Sequence, residues 1–161
     1  MSDRPQPAWV RRRFTAAHFD FDRLVEEGHE HIGLTRFTGV EVVDCGPGWA
    51  IERLAIRPDL MNEMHVMHGG ILGYLADDAM GFSVFTLLKP EQNCVTVEYK
   101  INYLAPTVGD WLVARAQVVR AGRTIIVSEC ELFAQTKGED KAVAFSVGTF
   151  MVIANPARPA G

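Results

Sequence analysis

The sequence predicts an α+β fold in which one long buried helix is wrapped by a curved antiparallel β-sheet, and three observations carry that prediction. Residues 69–88 are apolar around the whole helical cylinder, the pattern of a helix buried on nearly every side. Val95, Val97, Tyr99, Ile101 and Tyr103 alternate with Thr96, Glu98, Lys100 and Asn102, a period of two that predicts a strand with one buried face. Short turn signals then separate three further strand-like runs, so the second half reads as an antiparallel meander of four strands.

Taken in order, the elements divide the chain into three parts. Residues 1–37 read as an amino-terminal extension: a flexible lead over residues 1–13, then a short helix near Phe19–Glu27 with Asp20 as its cap candidate. Residues 38–154 read as the domain itself. It opens with a hairpin, Val40–Asp44 and Trp49–Arg57, around the turn signal Gly46-Pro47-Gly48. The buried helix follows, and at ~1.5 Å per residue its length of ~30 Å matches the width of a small domain. The alternating strand ends at Pro106 and Gly109-Asp110, and Trp111–Arg120, Thr124–Gln135 and Ala142–Ile153 complete the meander. Residues 155–161 read as a flexible tail.

Composition narrows the function classes. Hydrophobic residues make up 48% of the 161, enough for a core and too many for a disordered chain. Sixteen basic residues against 20 acidic ones give a net charge of −4, so no nucleic-acid partner is expected. Cys45, Cys94 and Cys130 are scattered and odd in number, which signals neither a disulfide framework nor a zinc ribbon. A reducing, cytoplasmic setting is the expectation, because the opening MSDRPQPAW lacks the apolar centre of a secretory signal. Asp77 and Asp78 inside the apolar stretch argue against a membrane span.

Those two acids need an explanation, since a carboxylate in a buried helix either finds partners or has its pKa raised. Asp77 shares a helical stripe with Gly70, Gly73 and Gly81, which reads as a face left open to another backbone or a ligand. The alternative is plain helix packing, with Asp77 capping a neighbouring loop. Asp78 lies about 100° away beside Tyr74, Leu75 and Phe82, where it reads as a structural hydrogen-bond acceptor or an interface residue. His68-Gly69-Gly70 opens the helix, and unpaired N–H groups and the positive dipole end there can hold a developing oxyanion. Gly69 and Asp77 are eight residues apart, ~12 Å along one axis, so they cannot meet on one carbonyl within a chain. Two such helices antiparallel about a twofold axis would bring Asp77 of one to Gly69 of the other, which predicts a homodimer with two sites at its interface.

His68-Gly69-Gly70 with Asp77 nine residues after the histidine, inside HGGILGYLADDAMG, resembles the hotdog-fold acyl-CoA thioesterases of the PaaI type. The likeness extends to Asn62, to VTVEYKINYLAPTVGD and to AQVVRAGRTIIVSECELF. It implies a hotdog fold, hydrolysis of an acyl-CoA thioester to free acid and CoA, and dimers that pair into tetramers. By the resemblance, Asp77 is general base or nucleophile and the Gly69 N–H polarises the thioester carbonyl. His68 fixes the loop and donates a hydrogen bond nearby, Asn62 helps place the water or the thioester, and Thr96 assists the water. Gly70 and Asp78 are expected at the substrate; Asp78 stands where relatives commonly carry Thr, Ser or Asn. Coenzyme A enters only as part of the substrate, and no separate cofactor is implied. Its phosphates ask for basic residues at the rim, for which Arg120 and Arg123 are the candidates and Lys100 a third; an ordinary charged hairpin turn is the alternative.

Other signals are weaker. His29-Glu30-His31 and the pair His65 and His68 invite a metal reading, but they lie far apart and no cysteine completes them, so no metal is expected. No GxGxxG, P-loop or GxSxG pattern occurs, which leaves nucleotide-dependent and serine-hydrolase chemistry without support. One rival reading is a non-catalytic acyl-CoA sensor on the same fold, which has no need of Asp77 and Gly69. Another is a dehydratase or hydratase, which wants a histidine and an acid converging on the acyl chain. Tyr74, Met80, Phe82 and Phe85 either line an acyl pocket or fill the core.

Overall fold

The computed structural model describes residues 6–15, 19–27 and 33–155. Two short helices, α1 (Phe21–Glu27) and α2 (Gly33–Thr38), precede the hairpin β1 (Glu41–Gly46) and β2 (Trp49–Ala55). A 3₁₀ turn at Pro58–Leu60 leads to the long helix α3 (Gly69–Phe85). β3 (Gln92–Tyr103), β4 (Trp111–Ala121), β5 (Ile125–Thr136) and β6 (Glu139–Ala154) follow. All six strands form one antiparallel sheet, and α3 packs against β2, β3, β4, β5 and β6. The expected helix-in-sheet architecture is present. Its core joins Leu72, Leu75, Ala76 and Met80 of the helix to Leu54, Leu112, Leu132 and Phe150 of the sheet, all 4% exposed or less. Burying a side chain of that size contributes about 1.5–3 kcal/mol, so this interface dominates the stability of the fold.

The sheet order corrects the four-strand meander. It runs β1-β2-β4-β5-β6-β3, so β4, β5 and β6 meander while β3 lies beyond β6 at the sheet edge. The cause is the link 104–110, which is no hairpin turn. It crosses the strand ends instead, held by Leu104 N donating to Val143 O, Met67 N to Thr107 O and Asp110 N to Gln135 O at 2.8–3.0 Å. Gly109 sits there at φ +147°, where a Cβ would come within 2.7 Å of Gln135 O.

The buried face expected for β3 is also corrected. Val95, Val97, Tyr99 and Tyr103 are 40–56% exposed. A bulge between Thr96 and Glu98 makes the strand switch faces. Cys94 and Thr96 face α3 ahead of it, whereas Tyr99, Ile101 and Tyr103 face α3 behind it. Simple alternation cannot register an inserted residue.

Over its described part the amino-terminal segment lies against the sheet. Trp9 meets Trp49 edge-on at 6.1 Å, and Arg11 N donates to Gln117 Oε1 at 2.8 Å. Phe14 fills the space over Gly48, whose φ of +76° closes the β1–β2 turn after Pro47. The predicted short helix is α1, set against β1. α2 has no counterpart in the sequence reading, because its carbonyl end is capped from a distance: Arg57 donates to Phe37 O and Thr38 O at 2.6 and 2.7 Å. The His29-Glu30-His31 cluster lies outside the described residues, as does the tail beyond Asn155.

Candidate active site

Helix α3 carries the site. His68 is its N-cap, with extended backbone angles, and its Nδ1 accepts from Gly70 N at 3.0 Å. That acceptor role fixes the proton of the neutral ring on Nε2. The Gly70 amide is thereby taken by the cap, and the hydrogen bond expected to be donated by His68 falls to Nε2. The His68 and Ile71 amides belong to the turn, donating to Leu60 O and to His68 O, each at 2.9 Å. Among the described residues the Gly69 N–H has no partner, and it sits at the positive end of the helix.

Two turns further on, Asp77 is half-buried. Thr96 Oγ1 donates to its Oδ1 at 2.8 Å across from β3. Desolvation pushes the Asp77 carboxyl above its ordinary value, and the Thr96 hydrogen bond opposes that rise. Asp77, Asp78, Gly81, Phe82, Asn93, Cys94, Thr96 and Phe150 line a cleft of about 230 Å³. The Cys94 thiol is pushed up to about 11 by burial and by the charge of Asp77, so it is no nucleophile at neutral pH.

The structure therefore brings Asp77, Asp78 and Thr96 to one cleft, and leaves Gly69, Gly70 and His68 two turns away on the same helix. Asn62 serves its own loop. Its Oδ1 accepts from Met64 N at 3.0 Å and from Val66 N at 3.4 Å, around His65 at φ +57°. Asp78 faces Tyr74, whose phenol is pushed up to about 12, first by burial and then by the charges of Asp78 and Glu52, against a bond from Thr38. Arg120 and Arg123 do not line the cleft. They sit exposed at the β4–β5 turn, at the sheet end where Ile126 pairs with the cleft residue Phe150. Neither they nor Lys100 have a side-chain partner among the described residues. Of the four pocket candidates only Phe82 lines the cleft, while Met80 is fully buried in the core.

The glycine stripe is filled largely from within, by residues the sequence reading did not single out. Tyr103 donates to Gly69 O at 2.9 Å, and its ring lies 3.3 Å from where a Gly69 Cβ would be. The Tyr99 hydroxyl lies 2.9 Å from the corresponding point at Gly73. Gly81 lines the cleft beside Asp77, where an added Cβ would meet only the Phe150 ring, at 3.6 Å. The repeat of tyrosines at 99 and 103 is a signal only once the bulge is known. The described residues hold no cluster of three or more His, Cys, Asp or Glu, and no helix among them is long and apolar enough to cross a membrane.

A long helix held against a six-stranded antiparallel sheet is the hotdog architecture. Residues 64–141 match the thioesterase superfamily. A protein of Halobacterium salinarum, provisionally named an esterase, is 34% identical over 145 residues, covering 83% of this chain and 95% of its own. A thioesterase family protein from Silicibacter pomeroyi superimposes with a TM-score of 0.78 at 28% identity, over 83% of this chain and 98% of that one. The E. coli PaaI protein of the phenylacetic acid degradation operon gives 0.72 at 25% identity, over 81% and 91%. A Bacillus halodurans protein solved with CoA gives 0.67 at 33% identity, over 82% and 84%. This chain belongs to the thioesterase superfamily.

Proposed function

We propose that the protein hydrolyses acyl-CoA thioesters at two equivalent sites on a homodimer interface, with Asp77 of one protomer opposed by the Gly69 N–H of its partner. The observation that carries this reading is the division of labour on α3: a half-buried carboxylate in a cleft at one level and an unpartnered amide two turns away. Within one chain they are ~12 Å apart, and antiparallel pairing of two helices removes that distance. The apolar residues that β3 exposes at the sheet edge supply the surface such pairing needs. The Bacillus halodurans protein solved with CoA supports the substrate class.

The chemistry then follows from the parts. The thioester carbonyl lies against the Gly69 amide, which stabilises the oxyanion by about 3 kcal/mol. Asp77 deprotonates a water held beside Thr96, a general-base contribution of about 10²–10⁴ in rate, or attacks the carbonyl directly. Thiolate departs and is protonated to CoA. By the water route the acid forms at once; by direct attack a water then hydrolyses the acyl–Asp77 anhydride to free acid and carboxylate. Arg120 and Arg123 hold the CoA phosphates from the end of the sheet.

Complementation tests the shared site. Asp77→Asn removes the acid, and Gly69→Pro removes the amide at the one helical position where proline is favoured. Each variant alone is inactive. Mixed by refolding, heterodimers regain one intact site each, roughly a quarter of wild-type turnover for random pairing about a twofold axis. Zero recovery would put both groups in one chain's site and overturn the interface, while near-native activity of Asp77→Asn would overturn the acid.

A further inference from the structure

We propose that the amino-terminal segment sets the length of acyl group the cleft accepts, through a relay of aromatic rings that ends at Phe82. This rests on the cleft beside Asp77 being the acyl site. At about 230 Å³ the cleft falls below the range of about 300–1,000 Å³ usual for ligand pockets, so in its present form it suits a short, compact acyl group. What limits it differs on its two aromatic sides. Phe150 is 1% exposed and belongs to the main core between helix and sheet. Phe82 belongs instead to a second, smaller apolar cluster built around Phe21, Val42, Cys45 and Ala50.

That second cluster is shared with the amino-terminal segment. The Phe82 ring lies 6.1 Å from Phe85, and Phe85 lies 5.0 Å from Phe19 at an interplanar angle of 51°. Phe19 in turn lies 6.4 Å from Phe21, the first residue of α1. Leu24 and Val25 of α1 pack against the same cluster. Among the described residues, the side chains packed around Phe82 in this second cluster are apolar, and some of them lie outside the sheet and α3. A longer acyl chain meets Phe82 first, and only displacement of that ring opens a path into surface able to take methylene groups. Phe19 and Phe85 hold the ring in place, so the extension acts as a ruler.

The test compares hydrolysis of acetyl- to palmitoyl-CoA by wild type, Phe19→Ala and Phe82→Ala, with Phe82→Leu as a milder change should the alanine variant fold poorly. One or two methylenes admitted or refused in an apolar pocket change kcat/KM by roughly tenfold or more. The long-chain to short-chain ratio of kcat/KM is expected to rise at least about tenfold in Phe82→Ala and less, in the same direction, in Phe19→Ala. Calorimetric binding of the same series to each variant in an Asp77→Asn background reads selectivity without turnover. A chain-length profile unchanged by all three substitutions, in both measurements, overturns the ruler. A shifted binding profile with no hydrolysis of any thioester by wild type would uphold the ruler and overturn the hydrolase reading instead.

Discussion

The hydroxyl of Thr96 reaches the carboxylate of Asp77 at 2.8 Å, joining the edge strand β3 to the middle of α3. This links two residues 19 apart in sequence, and it opposes the effect of burial on the acid. With Asp77 as the proposed base, the pH dependence of turnover is expected to follow that opposition.

Because burial raises the Asp77 pKa, the acid limb of kcat/KM lies above the ordinary carboxylate value of 3.8. Thr96→Val deletes the one group that lowers it. The limb therefore moves to higher pH in that variant, with activity at the alkaline plateau reduced and not abolished. A pH–rate profile from mildly acid to neutral checks the direction, and a downward shift would contradict it.

The same raised pKa has a stability consequence of definite sign. Between 3.8 and the folded-state value the native protein binds more protons than the unfolded chain, so stability falls as pH rises through that window. Above it the buried charge weighs fully on the native state. Asp77→Asn is expected to raise Tm at neutral pH, and the gain disappears below the ordinary carboxylate value. Calorimetric scans of both proteins at three pH values measure it.

Arg120 and Arg123 are exposed and have no side-chain partner among the described residues. A charge-assisted contact to phosphate is worth about 1.5–3 kcal/mol. Replacing both with alanine should raise KM for acyl-CoA roughly tenfold or more, with kcat little changed. Thioesters of pantetheine, which lack the nucleotide phosphates, should show no such penalty. Equal losses on both substrates would remove the arginines from CoA recognition.

Gly109 tests the crossing link. Its φ of +147° suits glycine alone, and an added Cβ would stand 2.7 Å from the Gln135 carbonyl, which is backbone and cannot swing aside. Gly109→Ala is expected to destabilise the protein by about 1–3 kcal/mol in a denaturant titration.

Much of the fold was legible because apolar spacing marks α3 and the long strands directly, and His68, Gly69 and Asp77 single out that helix as the candidate site. What stayed hidden arises from contacts that carry no periodicity. The position of β3 beyond β6 is settled by hydrogen bonds of the link 104–110 to Val143 and Gln135. The packing of Trp9 and Phe14 rests on single residues with no repeat around them. Thr96 was placed at the site by resemblance, whereas alternation set it on a polar face opposite Tyr99; one inserted residue puts both against the helix. Asn62 enters the site only by the resemblance, and no periodicity announces that its Oδ1 closes the loop by accepting from Met64 N and Val66 N.

The irregularity in β3 gives that strand two phases, one ahead of Val97 that carries Thr96 to Asp77 and a clamping one behind it. Losing Val97 would keep Thr96 on Asp77 only by rotating Tyr99 and Tyr103 out to solvent, or keep the tyrosines only by turning the hydroxyl away. Across this point the strand can change length only by even steps if both duties are to survive.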